Sequence, residues 1–133
     1  MRRTRATALP KRLEKHEQRD IIQLLRAIGA AVYVIGHPSP NDGRAYWGTG
    51  QTPGIPDLYV VLPARGIRRH LWVEVKRKGG RVRDEQREFA THCGELSGPF
   101  HVMGTYDDVL RWLEQMGYVN RGQVNHERLS EAS

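Results

Sequence analysis

Apolar residues recur along this chain with two periods, and the switches between them mark out seven elements. Over residues 11–28, KRLEKHEQRDIIQLLRAI, the side chains of Leu13, Ile21, Leu24, Leu25 and Ile28 fall on one face at helical spacing, and Gly29 stops the run. On a wheel of about 100° per residue, Glu14 and Glu17 lie on or beside that apolar face rather than opposite it. AAVYVIG then predicts a strand, and HPSPNDGRAYWGTGQTPGIP a long loop of a kind often functional in a small domain. DLYVVLP and HLWVEVK predict two further strands, joined by ARGIRR as a hairpin. DEQREFATHCGEL predicts a second helix, PFHVMG a fourth strand and TYDDVLRWLEQMG a third helix, started by Thr105 with Asp108 three residues on and closed by Gly117. From Tyr118 onward the apolar surface is too small to predict packing. The order helix, strand, strand, strand, helix, strand, helix implies an α/β sandwich, a mixed sheet flanked by helices.

The hairpin has a register that its own residues suggest. A turn at Arg65, Gly66 and Ile67 sets Asp57 opposite residues 74 to 76. Leu58, Val60 and Leu62 then share a wholly apolar face with Leu71, Val73 and Val75. Asp57, Tyr59 and Val61 share the other with Trp72, Glu74 and Lys76, and the aromatic rings imply that this face too is largely covered, by a helix.

Composition adds a partner class. The 133 residues carry 21 Lys and Arg against 15 Asp and Glu, a net charge of +6 that suits a polyanion such as nucleic acid. The length predicts one domain, residues 11–119, between a basic flexible arm at 1–10 and a flexible tail at 120–133. Cys93 is the single cysteine, which excludes an intramolecular disulfide and a Cys-rich zinc site and suits a reducing, cytoplasmic compartment. The six histidines lack metal-binding spacing, and no apolar run is long enough to predict a membrane span.

Two carboxylates facing each other across a hairpin, with Cβ atoms about 5 Å apart, can chelate one hard cation such as Mg²⁺. Such an ion acidifies bound water and stabilises charge on phosphate oxygens, and an adjacent lysine can position the water or neutralise the transition state. Asp57, Glu74 and Lys76 are therefore a minimal phosphodiester hydrolase. The plainer reading is a turn aspartate beside an exposed ion pair, which leaves Trp72 on the same face unexplained. Arg65, Arg68, Arg69, Arg77, Lys78, Arg81 and Arg83 flank these residues and suit a DNA track. Tyr46 and Trp47 could stack on unpaired bases, or simply tie the long loop to the core.

The string PGIPDLYVVLP…LWVEVKRKGGRVRDEQREF resembles the PD-(D/E)XK nuclease superfamily and, within it, the VRR-NUC family. Gly54, Pro56, Asp57, Glu74, Lys76 and Gln86 match the family's pattern, over a resemblance spanning roughly residues 13–117. Arg83 and Asp84 depart from the Ser-Pro that often precedes the second helix. The resemblance implies a restriction-endonuclease-like sandwich and a Mg²⁺- or Mn²⁺-dependent endonuclease. Its metal would be held by Asp57, Glu74, the Val75 carbonyl and, through water, an acid of the first helix, Glu17 before Glu14. It further implies catalytic roles for Lys76 and Gln86, ends bearing 5′-phosphate and 3′-hydroxyl, a homodimer in a bacterial or phage-infected cell, and branched DNA such as four-way junctions or flaps. A non-catalytic DNA-binding module and a sequence-specific restriction-type nuclease are the rival expectations.

Overall fold

The computed structural model describes residues 12–35, 52–63 and 69–120. The arm, the tail from 121, the long loop with Tyr46 and Trp47, and the turn with Arg65 and Arg68 lie outside the described residues.

The elements follow the expected order: α1 (Glu14–Ala27), β1 (Ala31–Val34), β2 (Leu58–Val61), β3 (His70–Val75), α2 (Asp84–Glu95), β4 (Phe100–Gly104) and α3 (Tyr106–Gln115). The four strands form one mixed sheet in the order β1-β2-β3-β4. β1, β2 and β3 pair antiparallel, while β4 lies parallel to β3, a pairing that α2 makes possible as the crossover helix.

Period-two alternation decides the two faces. Leu58, Val60, Leu62, Leu71, Val73 and Val75 are all fully buried against Ile21, Leu24 and Leu25 of α1 and Val109, Leu110 and Leu113 of α3. At about 1.5–3 kcal/mol for each large aliphatic side chain removed from water, this single apolar layer is the main source of stability. On the opposite face α2 contributes Phe89, whose ring meets Trp72 edge-on at 5.6 Å and His101 at 5.6 Å. The molecule is thus the α/β sandwich expected, with two helices on one face and one on the other.

Two expectations about the borders of the core are corrected. Leu13 is not part of the buried helix face: it is the N-cap of α1 and 42% exposed, because the helix begins one residue later. Tyr118 does pack: Gly117 takes a positive φ of 80° that turns the chain back, and the Tyr118 ring stacks on Trp112 at 6.3 Å, with Val119 also against the core.

Candidate active site

The site begins with register. Leu58 pairs with Val73 and Tyr59 with Trp72, so one further step sets Asp57 opposite Glu74 on the face that α2 covers. Pro56 is fully buried and leads the chain into β2. Asp57 is anchored at both ends: its carbonyl accepts from Ile35 N–H at 2.8 Å, and its Oδ2 accepts from Val75 N–H at 2.8 Å. Since the N–H and C=O of one strand residue face the same neighbour, the Val75 carbonyl lies on the Asp57 side of β3 as well.

Glu74 is 3% exposed and surrounded by groups from three elements. Its Oε1 accepts from Gln86 Nε2 at 2.6 Å and lies 3.7 Å from Lys76 Nζ, itself a buried amine. Its Oε2 is buried and receives no hydrogen bond. Burial, reinforced by the nearby Asp57 carboxyl and only partly countered by Lys76, pushes the Glu74 carboxyl up to about 8; Glu14 adds to the rise.

Gln86 is where the second helix joins the site. Its side chain is buried; Oε1 accepts from Arg83 N–H at 2.9 Å while Nε2 donates to Glu74. Arg83 supplies no side-chain cap, and Gln86 reaching back to the Arg83 N–H makes the reciprocal bond of a capping box at the start of α2. Gly54 makes that placement possible. It has φ 76°, and a Cβ there would run into the Glu85 carbonyl and the Gln86 amide, so only glycine lets the loop before Asp57 close on the first turn of α2.

The two acids of the first helix have different surroundings. Glu17 is buried, and both of its oxygens have partners: Oε2 accepts from Tyr106 N–H at 3.0 Å and Oε1 from Arg12 Nε at 3.1 Å. It thus caps the start of α3, where a negative charge is favoured by the helix dipole. Glu14 is exposed and acts on Glu74 through its charge. Helical periodicity put both acids near one face; it could not tell which of them the Tyr106 amide would take.

The expected cations divide as well. Lys76, Arg77 and Lys78 line a groove of about 950 Å³ at the C-terminal ends of β3 and β4, together with Arg12 and Arg111, which the sequence did not single out and which pair there with Glu17 and Asp108. Arg69, Arg81 and Arg83 are exposed, with Arg69 Nε also donating to the Leu62 carbonyl at 3.2 Å.

A divalent cation fits this donor set. Among the described residues no three His, Cys, Asp or Glu side chains converge, and the donors that do meet here are oxygens. Two facing carboxylates with a strand carbonyl beside them match the one or two carboxylates that Mg²⁺ takes alongside water. The buried Glu74 Oε2, which receives no hydrogen bond, is an acceptor that such an ion would satisfy.

Residues 45–106 match the model of the VRR-NUC domain. A solved structure described as a VRR_NUC domain shares the fold, with a TM-score of 0.55 and 24% identity, covering 76% of this chain and 94% of its own. Among curated proteins none matches. No helix among the described residues is long and apolar enough to cross a membrane. By motif over residues 45–106 and by fold over most of its length, the chain resembles the VRR-NUC family, a family of nucleases.

Proposed function

We propose that the protein is a Mg²⁺- or Mn²⁺-dependent endonuclease that hydrolyses DNA phosphodiester bonds, selective for branched substrates such as four-way junctions or flaps. The observation that carries this reading is the convergence of Asp57, Glu74 and Lys76 on one sheet face, with a buried carboxylate oxygen that no donor reaches. Asp57, Glu74 and the Val75 carbonyl would hold the metal, which when bound acidifies water and stabilises charge on a phosphate.

The chain's own groups do the positioning. Val75 N–H fixes one oxygen of Asp57, and Gln86 fixes Oε1 of Glu74, so neither carboxylate has to reorganise when a substrate arrives. Lys76 Nζ, held 3.7 Å from Glu74 Oε1, is the donor available to orient the attacking water or to neutralise a non-bridging phosphate oxygen. Of the two acids on α1, Glu14 is the better suited to assist the pair, because Glu17 already holds Tyr106 and Arg12. Arg77 and Lys78, exposed in the groove that Lys76 also lines, suit the DNA backbone on either side of the cut. As a homodimer the protein would present two such sites to the two strands of a junction.

The test is cleavage of an end-labelled four-way junction, with and without Mg²⁺, by the wild type and Lys76→Ala. The expected result is metal-dependent cutting that Lys76→Ala lowers by at least about 100-fold, the scale of losing one preorganised donor at a reacting phosphate. Cutting without metal, or cutting undiminished by that substitution, would remove the reading; equal cutting of linear duplex would remove the branched preference.

A further inference from the structure

One feature of the same sheet face lies outside the carboxylates and the lysine. Aromatic rings run across it from strand to strand: Tyr33 of β1 lies 6.2 Å from Tyr59 of β2, Tyr59 lies 4.9 Å from Trp72 of β3, and Trp72 lies 5.6 Å from Phe89 of α2. Tyr59 is further fixed by its hydroxyl, 2.5 Å from His70 Nδ1, and by stacking on that ring at 5.8 Å. α2 closes the Trp72 end, through Phe89. Among the described residues nothing closes the β1 end, where Tyr33 is 55% exposed.

Position ties this row to the proposed site. Tyr33 is the cross-strand partner of Tyr59, and Tyr59 is two residues from Asp57 on the same face, about 7 Å along the strand. The exposed ring surface is therefore about one nucleotide's reach from the carboxylate pair. Exposed Arg69, next to His70 in the chain, and exposed Arg77 and Lys78, just past Val75, stand at opposite ends of β3, so cations flank the rings and the carboxylates together. Basic groups interleaved with aromatic platforms are how proteins hold unpaired nucleic acid strands.

The size of the open surface argues against a protein on it. One tyrosine offers at most about 150–250 Å², far below the roughly 800 Å² per partner of a stable interface. Among the described residues the other large exposed apolar side chains are Leu13, Val34, Leu96 and Met116, of which the first, third and fourth belong to other elements, and Val34 follows Tyr33 on the opposite face of β1. A single planar ring fits what remains.

We infer that Tyr33, backed by Tyr59, stacks on an unpaired nucleobase adjacent to the scissile phosphate, so that among branched DNAs those with an unpaired base at the cut are held best. This rests on the nuclease reading for the position of the phosphate, but base stacking is measurable without any cutting. Wild type, Tyr33→Leu and Tyr33→Trp are compared by fluorescence anisotropy, with chelator present, on a labelled flap DNA carrying either normal bases or abasic sites in the single strand, and on the matching linear duplex. Tyr33 is exposed, so each variant is expected to fold. Stacking predicts that Tyr33→Leu weakens flap binding by about 5- to 100-fold, that Tyr33→Trp restores it, and that removing the bases costs the wild type a similar factor but Tyr33→Leu almost nothing. The inference is overturned if the wild type binds flap and abasic flap equally, or if Tyr33→Leu weakens duplex and flap alike. It is equally overturned if Tyr33→Leu changes only the oligomeric state seen by sedimentation, since the ring would then be a contact between copies. Base-dependent binding by a protein that cuts nothing with Mg²⁺ would uphold the stacking and remove the nuclease reading, so the two failures are distinguishable.

Discussion

Gln86 Nε2 donates to Glu74 Oε1 at 2.6 Å, and the same side chain accepts from Arg83 N–H at 2.9 Å. One amide thereby starts a helix and aims a carboxylate. Gln86→Ala removes both bonds. It is expected to cost about 1–3 kcal/mol in urea unfolding and to lower cleavage through misplacement of Glu74, with both deficits smaller in Gln86→Asn only if the shorter amide still reaches.

Glu17 and Glu14 should separate stability from activity. Glu17→Ala leaves the buried Tyr106 N–H without its acceptor and is expected to cost about 1–3 kcal/mol and lower the melting temperature. Glu14→Ala, at an exposed position, should change stability by no more than about 0.5 kcal/mol while lowering metal-dependent cleavage. Melting curves and cleavage rates of the two variants check this; a reversed pattern would return Glu17 to the metal's neighbourhood.

Gly54→Ala should be poorly tolerated although residue 54 touches no substrate. Its φ of 76° and the Glu85 carbonyl in the path of a Cβ mean that either the loop or the first turn of α2 must move. A loss of about 1–3 kcal/mol is expected in thermal or urea unfolding, together with weaker metal-dependent cleavage, because Gln86 moves with that turn.

The metal-free protein should become less stable as pH rises across the neutral range. With the Glu74 carboxyl raised from 4.5 to about 8, the folded state retains a proton that the unfolded chain has released, so stability is full below 4.5 and is lost as pH rises toward and through 8. Glu74→Gln should flatten that slope. Added Mg²⁺ should raise the melting temperature more at pH 8 than at pH 6, because the ion competes with the proton for the same carboxylate. Melting curves of the two proteins over this range, with and without Mg²⁺, measure both effects.

His101 works in the opposite direction. It is half-buried, beside Phe89, with both ring nitrogens buried and lacking hydrogen-bond partners, and burial lowers its pKa below 6.5. The contribution is present above 6.5 and is lost as pH falls through the lowered folded value, when the ring must take up a charge with no acceptor. His101→Leu should therefore resist acid unfolding better than the wild type, as followed by circular dichroism between pH 7 and 4.

What could be read from the chain alone was whatever depends on local period. Alternation over 57–62 and 71–76 determined which residues of β2 and β3 face the core, since a slip of one position would bury Glu74 and Lys76 among leucines. That one constraint put Asp57 on the face of Glu74 and Lys76, the observed register then set it opposite Glu74, and Thr105 with Asp108 marked the start of α3 in the same local way. The remainder hinged on groups far apart in sequence. Nothing near Glu17 announces that its acceptor role is to Tyr106, 89 residues away, and nothing near Gln86 announces that its amide closes on Glu74. Tyr118 looked like the beginning of a tail until Gly117 turned it back onto Trp112, and Tyr33, in the first predicted strand, was left open at the sheet edge. Periodicity states which side of an element is apolar; only the packed structure decides which polar atom meets which, because each such pair is chosen by the relative placement of two elements that no local pattern encodes.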